Sequence, residues 1–170
     1  MRVIRVRFEL LSEVTVDRLF EATGVYVLWS PRAQVRPTYL GEGYLLDRLG
    51  QHVRQFGPGL VGAVAILGYD NTVRLKEEAQ IVEHLLLAAA DRVDRAPSSN
   101  TSAGIRAGVE KIFRSHGILR VRVTGIDPLR APWMSGIRLT TPKEIELFRG
   151  GPGEEPFLRD GWNRRPLRVR

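Results

Sequence analysis

The chain contains no cysteine. Disulfides, thiol nucleophiles and cysteine-bearing zinc sites are thereby excluded, and a reducing compartment is expected. It also lacks any apolar run of about 18 residues. The opening stretch, MRVIRVRFELL, holds no long apolar segment. Neither a signal peptide nor a membrane span is therefore expected, and the expected location is the cytoplasm. Lysine is scarce: arginine supplies 23 of the 26 basic side chains. Internal repeats are absent. The tryptophans, Trp29, Trp133 and Trp162, are scattered and suggest no base-stacking platform.

What is present suits one domain, or one domain with an appendage, at 170 residues. A chain of this size buries about 70% of its unfolded surface and needs no staple. Its charge is uneven. Residues 1–100 hold 12 basic and 12 acidic side chains, whereas residues 101–170 hold 14 and 7. The whole surplus of +7 thus falls in the later part. Arginine offers a planar fork matched to phosphate. The asymmetry reads either as a nucleic-acid contact surface or as a solvated, arginine-rich surface.

Hydrophobic periodicity outlines the elements. Residues 2–10 alternate Ile4, Val6, Phe8 and Leu10 with Arg5, Arg7 and Glu9, the pattern of a half-buried strand. Ser12 to Ala22 reads as a short helix capped by Ser12, with Val16, Leu19 and Phe20 inward. GVYVLWS at Gly24–Ser30 reads as a strand, Pro31–Pro37 as a loop, and Thr38–Gly41 as a short strand broken by Gly41-Glu42-Gly43. Tyr44–Phe56 has helical spacing through Leu45, Leu46, Leu49 and Val53. Leu60–Leu67 suits a buried strand. Thr72 to about Ala90 is the clearest helix, on Ile81, Val82, Leu85, Leu86 and Ala89.

Ser102–Arg114 reads as a further helix with Ile105, Val109, Ile112 and Phe113 inward. Leu119, Val121 and Val123 alternate with Arg120, Arg122 and Thr124, so this strand is expected to pair with the first. Beyond Asp127-Pro128 the pattern weakens. Ile137–Leu139 suits a short strand, Pro142–Phe148 one or two helical turns, Gly150–Gly153 a linker, and Arg159–Arg170 a poorly ordered basic tail. The expected division is residues 1–126 as one α+β domain and residues 127–170 as a basic, partly irregular extension.

One constellation carries chemistry. Gly24-Val25-Tyr26 and Tyr39-Leu40-Gly41 lie on adjacent strands, with twelve residues between the tyrosines. Arg48 and His52, four apart, share a face of the next helix. The long helix adds Glu77, Glu78 and Glu83, and Asn100 follows the next loop. Phosphodiester hydrolysis needs a proton acceptor for the attacking water, and positive charge against the transition state. A metal at the leaving oxygen adds to that. A phenol, with pKa of about 10, is a poor base unless neighbouring cations lower that value; Arg48 and His52 are the candidates. His84 and His116 share no metal-ligand spacing, and Gly57-Pro58-Gly59 lacks the residues of a phosphate loop.

This set resembles the GIY-YIG nucleases, whose Gly-x-Tyr and Tyr-x-Gly strands precede a helix with Arg and, four residues on, His or Tyr. The likeness covers about residues 22–100, with Val25 and Leu40 standing for the isoleucines. It extends to Glu78-Ala79-Gln80-Ile81-Val82-Glu83-His84-Leu85-Leu86-Leu87, then Pro97 and Asn100. The resemblance implies a small, mainly antiparallel sheet flanked by helices, here with additional N- and C-terminal strands. It implies a DNA endonuclease dependent on Mg²⁺ or Mn²⁺. In that role Tyr26, helped by His52 or Tyr39, deprotonates water, Arg48 stabilises the phosphorane, Glu83 holds the metal, and Asn100 supports the site. Periodicity alone points instead to Glu78 as the inward carboxylate. The stretch from Glu83 to Asn100 spans 17 residues, longer than in the repair nucleases of the family, and Asn100 also suits the N-cap of the next helix. A binding module that does not cut, and a nuclease acting on RNA, are the alternative functions.

Overall fold

The computed structural model describes residues 1–30, 35–70, 72–149, 157–163 and 167–168, the last two and residue 157 by backbone alone. The architecture is α+β. Among the described residues, eight strands form one sheet in the order β3-β2-β4-β1-β5-β6-β7-β8. The strands are β1 (Arg2–Leu10), β2 (Thr23–Trp29), β3 (Tyr39–Tyr44), β4 (Val61–Gly68), β5 (Leu119–Gly125), β6 (Lys143–Phe148), β7 (Phe157–Asp160) and β8 (Leu167–Arg168). The helices are α1 (Val16–Leu19), α2 (Leu45–Phe56), α3 (Val73–Arg92) and α4 (Ser102–His116). No helix among the described residues is long and apolar enough to cross a membrane.

The alternation in β1 sorts its side chains as the sequence predicts. Ile4, Val6 and Phe8 are buried, while Arg5 and Arg7 are exposed. β1 and β5 are direct neighbours, parallel, from Arg2↔Leu119 to Phe8↔Gly125. The other strand pairs are antiparallel.

Helices cover the sheet unevenly. On one face α3 packs against β2, β3, β4 and β6, and α4 packs on α3. There the main core gathers Phe8, Val25, Val27, Trp29, Ile81, Leu85 and Leu119. Burying each such side chain stabilises the fold by about 1.5–3 kcal/mol. His84 of α3 fills the space over Gly108 of α4, where a Cβ would lie 2.6 Å from its Nδ1. On the other face, α1 and α2 bury Leu19, Leu45 and Leu49 against Tyr26, Leu28 and Val64. The β1–β5 portion of that second face presents Arg5, Arg7 and Arg122 to solvent.

Several segments differ from the expectations. Ser12–Ala22 is not one helix. A 3-10 turn spans Leu11–Glu13, and α1 holds four residues behind Thr15. Of the expected stripe only Leu19 reaches the core, and Val16 and Phe20 are exposed, so there is no stripe to sustain a longer helix. β3 runs on through Gly43, which supplies a φ of 130°, and α2 starts at Leu45 rather than Tyr44. In α2 the buried positions are Leu45, Leu49 and His52, with Val53 turned out.

Pro142–Phe148 is not helical: Lys143–Phe148 is a strand. Ile145 and Leu147 point inward, while Glu144 and Glu146 face Arg122 and Arg120 across the ladder. That is the period-two pattern of a half-buried strand. Ile137–Leu139 forms only an isolated bridge, Ile126↔Arg138. Within the expected loose tail, Arg159–Asp160 belong to β7 and Leu167–Arg168 form β8, while residues 164–166 and 169–170 lie outside the described residues. Asp160 anchors β7: Arg92 Nη1 of α3 lies 2.6 Å from its Oδ2 and also donates to Leu158 O at 2.9 Å. The Gly150–Gly153 linker lies outside the described residues.

Candidate active site

The site forms at the β3 edge of the sheet, where two glycines let the chain come close to itself. At Gly24 a Cβ would run into the Ala65 carbonyl of β4. Gly41 stands opposite Tyr26 in the β2–β3 register. The Tyr26 ring lies over it, so that a Cβ there would be 2.8 Å from the phenol oxygen and 2.7 Å from Tyr39 Cε1. Each glycine of the paired motif thus has a steric reason. The central positions, Val25 and Leu40, are core residues.

Tyr26 and His52 are joined by a buried hydrogen bond, Oη to Nε2, of 3.0 Å. Tyr26 is 1% exposed and His52 7%. Tyr39 stacks on Tyr26, with ring centroids 6.0 Å apart and planes 13° apart, and its centroid lies 4.3 Å from that of His52. Phe56, one turn on in α2, also stacks on the imidazole, at 5.9 Å. The imidazole is therefore in contact with three rings, and its Nδ1 is buried without a hydrogen-bond partner.

Three charged groups act on this pair. Arg48 of α2 lies against Gly43, where a Cβ would be 3.3 Å from its Nε. Glu83 comes from α3. Glu42 of β3 pairs in register with the core residue Val25, and its Oε2 is buried with no hydrogen-bond partner. Burial pushes the Glu83 carboxyl up to about 7, the Glu42 charge pushes the same way, and Arg48 opposes both. Burial and then Arg48 hold His52 below its ordinary value, so the imidazole is neutral at pH 7.

Arg48 acts on the Tyr26 phenol in the expected direction, but it is outweighed. Burial comes first and raises Tyr26 well above its ordinary value. Tyr39, Glu83 and Glu42 add to this, and Arg48 only partly offsets it.

The structure therefore brings together Tyr26, Tyr39, Arg48, His52 and Glu83. Asn100 lies in the turn before α4, with its N–H bonded to Pro97 O at 2.9 Å. Among the described residues no hydrogen bond links its side chain to the tyrosine cluster. It is not the N-cap either, because Thr101 Oγ1 accepts from Gly104 N at 3.1 Å. Glu78 turns away towards Arg2 of β1, 3.3 Å from its Nη2, and Arg74, 3.4 Å from its Nε. Glu42 is the charged neighbour that the sequence reading missed. A period-two reading carried past Gly41 places Glu42 on the inward face with Leu40.

No group of three or more potential metal ligands occurs among the described residues. Two carboxylates, Glu42 and Glu83, remain. One buried oxygen lacks a partner and one carboxyl is destabilised as an anion, and a divalent cation relieves both conditions. Mg²⁺ commonly takes one or two carboxylates and fills the rest of its shell with water and phosphate oxygens. The residues present fit such an ion. Comparison with protein-family models, curated proteins and solved structures gives no match to this chain.

Proposed function

We propose that the protein is a divalent-metal-dependent endonuclease of the GIY-YIG type that hydrolyses DNA phosphodiester bonds, acting in the cytoplasm. The observation that carries this reading is the 3.0 Å contact between Tyr26 Oη and His52 Nε2, set among Tyr39, Arg48 and Glu83. With its proton on Nδ1, neutral His52 accepts the phenol hydrogen at Nε2. The phenol oxygen is then free to take a proton from water while it passes its own to the imidazole. That relay never requires a free phenolate, which burial disfavours. Arg48 places a permanent positive charge where the phosphoryl oxygens gain negative charge. Glu83, with Glu42 beside it, would hold the Mg²⁺ or Mn²⁺ ion, which when bound supplies charge stabilisation at the leaving oxygen.

A second reading has its own observation. Tyr26 is 1% exposed, which also suits a nucleic-acid-binding module that does not cut. Incubation with supercoiled plasmid and Mg²⁺ or Mn²⁺, with and without EDTA, separates the two. The nuclease reading expects metal-dependent nicking. Tyr26→Phe then lowers the rate by about 10²–10⁴. Glu83→Gln abolishes cutting, and Glu78→Gln leaves it unchanged. If wild type cuts neither plasmid nor RNA with either metal, the binding module is the better account. Loss with Glu78→Gln alone moves the metal ligand to that residue.

A further inference from the structure

We infer that the uncovered arginine face of β1 and β5 is the docking surface for the phosphate backbone of a DNA duplex; this rests on the nuclease reading and identifies how its substrate is held. Parallel pairing sets Arg5 directly beside Arg122 and Arg7 beside Thr124. Like charges opposite one another on a sheet face destabilise it. The fold keeps such a pair at a place where no helix among the described residues covers it.

The surroundings leave positive charge over. Among the described residues, the carboxylates nearby are already engaged. Glu9 accepts from Arg18 at 2.7 and 3.1 Å and also feels the Arg7 charge. Glu13 is 3.1 Å from Arg138. Glu146 is 3.1 Å from Arg120, and Glu144 is shared by Arg120 at 3.5 Å and Arg122 at 3.8 Å. Among the described residues, Arg5 and Arg7 have no ion-pair partner. They open onto a shallow concavity of about 330 Å³, shared with Arg122, Thr124 and Pro142. A second concavity of about 320 Å³ continues it past Arg7 towards Arg138.

The chemistry of this strip favours a duplex over a single strand. Its outward residues, Val3, Arg5, Arg7, Glu9, Arg120, Arg122 and Thr124, include no aromatic ring on which a base could stack. Guanidinium forks in a row suit backbone phosphates. The strip also lies on the same sheet face as Tyr26, because Tyr26 pairs with Val64 and Val64 with Glu9 of β1. Duplex held there borders the half of the sheet that carries the candidate site.

Binding of a short fluorescein-labelled DNA duplex in EDTA, by anisotropy over a salt series, tests this without cleavage. The triple variant Arg5→Gln/Arg7→Gln/Arg122→Gln should bind about tenfold or more weakly, and its salt slope should fall by about 3. A charge-matched triple on α4, Arg106→Gln/Lys111→Gln/Arg114→Gln, should behave as wild type. Should the first triple fail to fold, Arg7→Gln alone should lower the slope by about 1. Equal loss in both triples, no loss in the first, no duplex binding by wild type, or tighter binding of single strands or of duplex RNA would each overturn the assignment. Glu83→Gln binding like wild type, with wild type failing to cut, would instead remove the nuclease reading and leave this surface standing.

Discussion

Glu83 is costly to keep in the metal-free protein. Its carboxyl is raised from its ordinary value to about 7, first by burial and then by Glu42. The folded state therefore holds a proton that the unfolded state has released between about pH 4.5 and 7. Stability falls as pH rises through that window. Glu83→Gln removes the buried charge. In EDTA at pH 8 it should raise stability by about 1–2 kcal/mol, and at pH 4 by almost nothing, as read from urea midpoints. A variant less stable than wild type at pH 8 would mean that the carboxylate is already compensated. The sequence named this residue through a motif, whereas helical periodicity favoured Glu78. Periodicity reports which way a helix face points. It carries no information about Arg2 on a strand far away in sequence, and that pairing keeps Glu78 away from the tyrosines.

At the scale of elements, β3 shows how much depends on one small residue. Gly41→Ala inserts a methyl group where the Tyr26 phenol and Tyr39 ring now lie. Overpacking of this kind costs about 1–3 kcal/mol. Displacement of the phenol should also cut the cleavage rate, by up to about 10²-fold for a shift of about 1 Å. Nicking assays beside urea melts check both, and an unchanged rate would mean that the ring position is not critical. The tyrosine strands and the long helix were legible because their patterns are strong and local. The strand at Lys143–Phe148 was not. Its alternation covers only six residues, and its outward glutamates acquire meaning only beside Arg120 and Arg122. His52 was readable as polar and in position, but its place in the buried face of α2 follows from the rings of Tyr26, Tyr39 and Phe56 around it.

At the scale of the molecule, described residues of the later part of the chain share the main core. Ile145, Leu147 and Leu158 belong to the main core, and Arg92 of α3 is tied to Asp160 by a pair whose side chains are 11% and 0% exposed. Truncation after Asp127 strips these away and leaves the Arg92 charge without that carboxylate. Losing one buried leucine or isoleucine to alanine costs about 2–5 kcal/mol, against a typical total stability of about 5–15 kcal/mol. The truncated chain should show no cooperative thermal transition; a sharp one would make residues 1–127 an independent unit. Net charge pointed to the later residues as the basic surface, yet the uncovered arginines are shared between β1 and β5. Composition cannot show that a parallel ladder brings the two together. That ladder also bears on how the protein comes into being. β1 emerges from the ribosome before either of its neighbours, and parallel partners distant in sequence pair slowly. Until then both flanks of β1 carry unpaired backbone groups open to other chains, and charged side chains blunt such edges. The charges of Arg5 and Arg7 disfavour such pairing along that strand.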